Sequence, residues 1–408
     1  MRRILALGLL WLALATPARA GVGLFVGIDD DSLKWNPRPA MELALMRDLG
    51  VSAIRVTVPW APGETSLTGA DRAMLDRVVG AAWGLRVVVA LYGTAADAPR
   101  DDAARTAYCA TAADLLRRYP SVADVVVWNE PNSARFWQPQ AGPDGASLVP
   151  AAYEALLARC WDALHAVEPD ANVIAASAPR RLNVTSIAPS DWYRELGAAY
   201  RASGRERPIF DTVGHNAYPD NSAQRVWARH PGGEISEGDY AKLMTVLQRA
   251  FSGSAQPPPG SGGVTIWYLE QGFQSTIAPA KRGSYTGQEN DRFALPPSAG
   301  LIPEGVRGPA PDQATQLGDA VRLAYCQPAV GAVFNFELAD ETNLGGWQSG
   351  VLWADGTPKP SYEAFRGAVA EARENAVDCA RFPEAARSAP TPGEVKFTAP
   401  PGGSKTKP

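Results

Sequence analysis

The amino-acid sequence predicts a (β/α)8 barrel, and three features of its periodicity support this fold class. Short β-branched runs alternate with longer amphipathic segments along most of the 408 residues. The runs are nearly continuously apolar, as expected for parallel strands that helices cover on both faces. There are eight such runs, and eight strand–helix units close a barrel of this kind.

The eight predicted strands follow one another with helical segments between them. They cover residues 22–28, 51–58, 85–92, 122–128, 172–177, 210–215, 264–270 and 330–336. An open, doubly wound sheet is the structural alternative, because periodicity alone does not distinguish the two folds. The Gly-x-Gly-x-x-Gly turn typical of that fold does not follow the first strand, where Asp29, Asp30 and Asp31 stand instead.

Several segments between the strands carry start and stop signals for helices. A helix is predicted over residues 39–49, with Gly50 as its left-handed cap. Another covers residues 150–167 and ends before Pro169, and residues 236–239 open a third with an acidic first turn. Residues 272–311 form a long insertion after the seventh strand, where loops surround the site of a barrel and shape access to it.

The two ends of the chain are predicted to lie outside the barrel. A basic start, an apolar run over residues 4–15 and the triplet Ala18-Arg19-Ala20 indicate a signal peptide cleaved after Ala20. A membrane anchor is the alternative, but the run is shorter than the roughly 20 residues that span a bilayer. The predicted organisation is a signal peptide (1–20), one barrel domain (21–388) and a disordered tail (389–408), in a secreted or periplasmic protein.

Composition argues against several classes of function. The net charge is −4 and no run of Lys or Arg occurs, so the chain offers nucleic acid no basic surface. Three scattered His and four Cys argue against a zinc centre. We therefore expect a monomer without metal, cofactor or nucleic-acid partner. Twelve Trp exceed the usual needs of a core and indicate a ligand that stacks on aromatic rings.

Export predicts that the four cysteines form disulfides, since thiols pair outside the cytoplasm. Cys109 and Cys160 fall on consecutive predicted helices, and Cys326 and Cys379 fall near the ends of the last two. Among three possible connectivities, position in the fold therefore favours Cys109 with Cys160 and Cys326 with Cys379. Buried free thiols are the alternative.

The strongest chemical signal is a carboxylate at the end of each of two predicted strands. Asn129-Glu130-Pro131 ends the apolar fourth strand, and Glu270 ends the seventh on the side that can face the barrel mouth. A capping acid in an ordinary turn is the alternative for Glu130. Because the strands of a barrel all end at one face, Glu130 and Glu270 can meet over one bond.

These motifs resemble those of the retaining glycoside hydrolases of clan A, a group of barrels that includes cellulase-like and β-xylosidase-like families. The resemblance covers most of residues 21–381. It implies an O-glycosyl hydrolase that acts on β-linked poly- or oligosaccharides, with Glu130 as general acid/base, Glu270 as nucleophile and Asn129 on the sugar 2-hydroxyl. Such enzymes hold their carboxyl groups about 5–5.5 Å apart, whereas inverting enzymes need about 6.5–9.5 Å.

The resemblance also implies roles for residues on the second and sixth strands. The family carries an Arg that steadies the nucleophile, which corresponds to Arg55; a rim salt bridge is the alternative. It also carries a His-x-Tyr element whose Tyr donates to the nucleophile. Here Tyr218 matches, but Asn216 takes the histidine position and His215 stands one residue earlier. We expect all three to line the substrate site, with a purely structural role as the alternative for His215.

Aromatic residues after the strands form the predicted sugar-binding rim. They are Trp35, Trp60, Trp137, Trp227, Trp347 and Trp353. Of these, Trp60, Trp137 and Trp347 are predicted to contact the substrate. Many relatives end the eighth strand with a Trp beneath the cleaved bond, and here Phe336 or Trp347 takes that place. Glu337 has no assigned role. The run from Asp29 to Asp31 is expected to be a solvated loop, with sugar or calcium binding as the alternative.

Two other classes of function stay open. A catalytically inactive barrel that binds carbohydrate would carry the same Trp rim. An exported serine hydrolase has little support, since the sequence contains no Gly-x-Ser-x-Gly elbow.

Overall fold

The computed structural model describes residues 23–179, 185–289, 291–300 and 308–382. Eight parallel strands form a closed barrel in chain order, and the last strand pairs with the first. The predicted (β/α)8 barrel is confirmed and the doubly wound sheet is wrong, because closure leaves no sheet edge. The predicted signal peptide (1–20) and tail (389–408) lie outside the described residues.

The observed strands differ from the predicted ones by at most three residues at either end. They are β1 Phe25–Asp29, β2 Ala53–Pro59, β3 Arg86–Tyr92, β4 Asp124–Val127, β5 Asn172–Ala175, β6 Thr212–Asn216, β7 Thr265–Gln271 and β8 Val330–Phe336. β4 stops before the predicted end at Trp128 because that residue has a φ of 65°, which takes it out of the strand conformation.

Helices follow the strands on the outside of the barrel. Those of the described residues are α1 Ser32–Trp35, α2 Ala40–Asp48, α3 Gly69–Ala81, α4 Asp102–Arg118, α5 Val149–His165, α6 Pro189–Ala202, α7 Tyr240–Phe251, α8 Gln313–Tyr325 and α9 Ser361–Arg373. Gly50 has the predicted left-handed φ, 78°. Ser236 and Asp239 form a capping box, but on a 3-10 turn that precedes α7. None of these helices is long and apolar enough to cross a bilayer.

The centre of the barrel is filled by apolar side chains. They come from β2, β3, β4, β5, β7 and β8 and are Ala53, Val88, Ala90, Val126, Ile174, Trp267, Leu269, Ala332 and Phe334, with Ala176 just beyond β5. Glycine is required where they crowd the backbone: a Cβ on Gly27 would lie 2.4 Å from the Phe334 ring. A filled interior leaves the carboxyl ends of the strands as the place for chemistry.

Two loops at that face pack against each other. The β7–α8 loop (residues 272–312, with 290 and 301–307 not described) meets the β8–α9 loop (residues 337–360) where Thr286 bridges to Asn343. Tyr285 from the first loop and Leu344 and Trp353 from the second form a small buried cluster. The predicted insertion therefore packs against the β8–α9 loop beside the barrel mouth.

Both predicted disulfides are present. Cys109 on α4 is bonded to Cys160 on α5, and Cys326 at the end of α8 is bonded to Cys379 after α9. Each bond fastens two neighbouring helices of the outer layer, across sequence separations of 51 and 53 residues.

Replacing both Cys109 and Cys160 by Ala is expected to lower the free energy of unfolding by about 4 kcal/mol. The cross-link closes a loop across 51 residues, and the unfolded chain gains conformational entropy when it is removed. Urea unfolding of the oxidised protein measures the change. The same replacement of Cys326 and Cys379 is the matched control, because its loop is nearly equal in length. An unchanged midpoint in the first variant would contradict the prediction.

Candidate active site

The end of β4 presents Glu130 through an unusual backbone. Trp128 and Glu130 have positive φ values of 65° and 39°, which are costly for residues with a side chain. The hydroxyl of Tyr108 holds this turn: it accepts from the Trp128 N–H at 2.8 Å and donates to the Leu91 carbonyl at 2.5 Å. Glu130 is thereby fixed at the barrel mouth, where it is 1% exposed.

The buried guanidinium of Arg55 joins the ends of several strands. It donates to the carboxylates of Asp29 and Glu270, the second at 2.9 Å, and to the Asn129 amide oxygen at 3.2 Å. Burial alone would lower the pKa of Arg55, but the adjacent Asp29 and Glu270 carboxylates outweigh it and raise that pKa. Arg55 therefore stays charged and is paired with two carboxylates.

Two residues at and after the end of β6 bind the two carboxylates. The Tyr218 hydroxyl donates to Glu270 Oε2 at 3.2 Å. Asn216 lies beside Glu270 in the register of β6 and β7, and its amide donates to Glu130 Oε1 at 2.9 Å. Because Asn216 pairs with Glu270 and binds Glu130, the two carboxylates lie at the same part of the barrel face.

His215 bonds to protein groups on both ring nitrogens, which favours the structural role that the sequence left open as the alternative. The ring is fully buried beneath the rim, with Nε2 3.0 Å from the Ile235 carbonyl and Nδ1 2.8 Å from the Ser177 hydroxyl. A carbonyl only accepts, so Nε2 carries the proton and Nδ1 accepts from Ser177. Burial lowers the pKa of His215 to about 4, and the ring is neutral.

Trp60 and Trp137 pack in the apolar core, which favours the alternative that their rings fill the core. They are 2% and 1% exposed. Both rings pack edge-on against Trp128, with centroids 6.4 and 5.8 Å away, in the apolar layer between the barrel and its helices. The rule that a Trp after a strand reaches the rim fails here, because this layer needs large rings to fill it.

Trp347 is the predicted candidate that lies at the site. Its partly exposed ring is tilted 34° to the Tyr218 ring at a centroid distance of 5.2 Å. The Phe336 ring meets Trp347 edge-on at 5.5 Å. Trp347 therefore stands next to the tyrosine that binds Glu270, with Phe336 supporting it. Of the other rim candidates, Trp353 is buried in the loop cluster, whereas Trp35 is 79% exposed.

The run from Asp29 to Asp31 is not the solvated loop that the sequence predicted. Asp29 and Asp30 are each 3% exposed. Asp29 binds Arg55, and Asp30 accepts from the Leu338 N–H at 3.0 Å, which ties the end of β1 to the end of β8. Throughout the described ranges, no group of His, Cys, Asp or Glu is arranged to hold a metal ion.

Sequence reasoning named Asp29 and Glu337 but did not predict the environment in which the structure places them. A signal for Asp29 was available: a cation inside β2 needs an acid at its own level, and Asp29 lies opposite Arg55 in the register of β1 and β2. Glu337 is 9% exposed, and burial together with Asp30, Glu341 and Asp340 raises its pKa to about 10. No sequence pattern predicts that the Glu337 carboxyl is uncharged at neutral pH.

The arrangement has the parts of a two-carboxylate reaction centre. Glu270 is held by donors on both oxygens, from Arg55 and Tyr218. Glu130 is more deeply buried and touches an amide donor. Such a pair can attack an electrophilic carbon with one carboxylate and transfer a proton with the other.

Comparison with known proteins establishes the fold. No family model and no curated protein matches this sequence. An exo-β-1,4-mannosidase from Opitutaceae bacterium strain TAV5 aligns at 15% identity and a TM-score of 0.51, over 87% of this chain and 60% of that chain. A GH5_18 protein from Streptomyces cattleya, solved with GlcNAc, aligns at 16% identity and a TM-score of 0.54, over 87% and 81%.

A further GH5_18 protein, from Bifidobacterium longum subsp. infantis, aligns at 15% identity and a TM-score of 0.53, over 85% of this chain and 79% of that chain. The resemblance to clan A barrels is confirmed at the level of the fold. The chain spans 60% of the length of the mannosidase it matches.

The buried neutral His215 is expected to make folding sensitive to acid. Its folded-state pKa of about 4 lies below the ordinary 6.5, so its stabilisation is complete above pH 6.5 and is lost as pH falls towards 4. Between pH 7 and 5 this amounts to about 2 kcal/mol. Urea unfolding at both pH values should show a smaller pH dependence in His215→Gln than in the unchanged protein.

His230→Gln is the matched control because its shift has the opposite sign. The bond to Asp239 raises the pKa of His230, so its stabilisation is present at low pH and is lost as pH rises through that pKa. His230→Gln should therefore increase the acid sensitivity. Equal slopes in all three proteins would contradict both assignments.

Proposed function

We propose that the protein is a retaining glycoside hydrolase that cleaves β-linked bonds of a poly- or oligosaccharide. Glu130 is its general acid/base and Glu270 its nucleophile. The observation that carries the proposal is that both carboxylates lie at one face of the barrel. Arg55 binds Glu270, and Asn216, which pairs with Glu270 in the register of β6 and β7, binds Glu130. Two carboxyl groups that converge from opposite strands suit a double displacement at an anomeric carbon.

In the first step Glu270 attacks the anomeric carbon as the bond to the leaving oxygen breaks. Hydrogen bonds from Arg55 and Tyr218 favour the ionised form of Glu270, which is the form that attacks. The product of this step is a glycosyl ester of Glu270. Water then attacks the same carbon and releases Glu270, so that two inversions give overall retention.

Glu130 moves the proton in both steps. It gives its proton to the leaving oxygen in the first and takes one from the attacking water in the second. Arg55 binds the oxygen of the Asn129 amide, so the donors of that amide are the groups available to a sugar 2-hydroxyl. Trp347 offers an apolar face to the sugar ring beside Glu270.

The activity and the bound sugar of the fold neighbours indicate which substrates to test first. One is an exo-β-1,4-mannosidase, and another was solved with GlcNAc. β-Mannosides are therefore the first substrates to test, followed by β-glucosides and β-xylosides. We further propose that the protein acts outside the cytoplasm, which its two disulfides and the signal pattern of residues 1–20 support.

Glu270→Ala is expected to lower kcat on a dinitrophenyl β-glycoside by at least about 10³-fold, because the nucleophile is gone. Added azide should restore part of the turnover and give the glycosyl azide of inverted configuration. Product analysis by NMR distinguishes the two anomers. Full activity in this variant would falsify the nucleophile assignment.

The same assay distinguishes a hydrolase from a catalytically inactive barrel that binds carbohydrate. It would bind β-glycosides without hydrolysing them, in the unchanged protein as well as in the variant. A cyclophellitol-type probe adds a second readout, since the hydrolase should carry it on Glu270 and a binding protein should carry none.

Glu130→Ala should show a different pattern, because the acid matters most for poor leaving groups. We expect kcat/KM for a β-linked disaccharide to fall by about 10²–10⁴-fold, with a much smaller fall for a dinitrophenyl glycoside. Azide should here give the retained glycosyl azide. Equal losses on both substrates would exclude Glu130 as the proton donor.

A further inference from the structure

The partly exposed ring of Trp347 stands on a short loop beside the nucleophile. We call residues 341–347 the Trp347 loop. It is part of the β8–α9 loop, between Asp340 and Gln348, and its ends meet where the Glu341 N–H donates to the Trp347 carbonyl at 2.9 Å. The ring at its end packs on Tyr218, which binds Glu270. Any shift of the loop therefore moves the ring relative to Glu270.

One buried cation holds both ends of this loop. Lys359 Nζ donates to Asp340 Oδ1 at 2.6 Å and to the Gln348 carbonyl at 3.1 Å. Its third bond, at 2.8 Å, goes to the hydroxyl of Ser275 in the β7–α8 loop. The side chains of Lys359 and Asp340 are both fully buried. All three ammonium protons are thus used at the base of the Trp347 loop.

Asp340 is itself fully engaged, so the base of the loop is stiff. It accepts from the Tyr285 hydroxyl at 2.7 Å and from the Gly350 N–H at 3.0 Å, besides its bond to Lys359. Glu337 lies nearby, but its raised pKa keeps it uncharged at neutral pH. Asp340 Oδ1 lies 2.6 Å from Lys359 Nζ and is its direct carboxylate partner. A buried pair with its remaining bonds satisfied fixes geometry more than it adds stability.

We propose that Lys359 is a positioning residue that closes the base of the Trp347 loop and so sets the Trp347 ring against the sugar bound beside Glu270. The inference rests on the proposed function. In this proposal Lys359 fixes the position of the Trp347 ring, on which the sugar stacks, without contacting the sugar itself. The cost of removing Lys359 should therefore appear in sugar affinity, and only while the Trp347 ring is present.

A double-mutant cycle on Lys359 and Trp347 tests this coupling. Binding is measured by calorimetry in the intact chain carrying Glu270→Ala, so that the sugar is not cleaved. The probes are Manβ1-4GlcNAc, which one GH5_18 neighbour was solved with, and cellobiose and xylobiose; the tightest binder is used throughout. Lys359→Met should raise its Kd about tenfold, and Trp347→Ala about as much. Both together should stay within about twofold of Trp347→Ala alone.

Lys242→Met is the matched control, because Lys242 also bonds one aspartate and two backbone carbonyls, those of His230 and Glu234. It lies away from the Trp347 loop and should leave the Kd unchanged. If Lys359→Met does not fold, the pair Asp340→Asn with Lys359→Met removes both buried charges and takes its place in the cycle.

The outcomes separate this inference from the proposed function. Binding to the parent protein with an unchanged Kd in Lys359→Met overturns the inference alone. An equal loss with and without the Trp347 ring also overturns it, because the lysine would then act on the fold in general. If no disaccharide binds the parent protein, the proposed function fails and the inference fails with it.

Discussion

The charge of Arg55 is the constraint on which the candidate site depends. A buried guanidinium is stable only where carboxylates compensate its charge. Here Asp29 and Glu270 compensate it, and the Asn129 amide oxygen accepts a further hydrogen bond. These partners lie at the ends of β1 and β7 and just after β4, so one side chain on β2 sets the relative positions of three strand ends. Removing Arg55 would leave two carboxylates buried together without a cation.

The other carboxylate is placed by packing rather than by charge. Trp128 turns out of β4 into an apolar layer of large rings, and Glu130 follows in a second left-handed conformation. Tyr108 and Tyr153 supply hydroxyls to backbone groups beside β4, at 2.5 to 2.8 Å. Trp60 and Trp137 pack on Trp128 and so support this turn.

The loops after β7 and β8 add a third layer of organisation. Their contact is closed by the buried Lys359–Asp340 pair, which joins both ends of the Trp347 loop to Ser275. In the proposed hydrolase, the strand ends would carry the reaction and these loops would carry the sugar contacts. The division follows from the fold, since strand ends are rigid and the loops around them vary in length and shape.

The sequence by itself determined the eight strands and the two strand-end carboxylates, and it favoured the closed barrel and the observed disulfide pairing; the roles of Arg55 and Tyr218 came from the family resemblance. These features depend on local periodicity and on strand ends sharing one face, and both can be worked out along the chain. Only the tertiary structure decided that His215, Trp60 and Trp137 are buried, that Asp29 pairs with Arg55, and that Lys359 braces the Trp347 loop. The physical reason is that burial and ion pairing depend on neighbours distant in sequence, such as Lys359 and Ser275, which lie 84 residues apart.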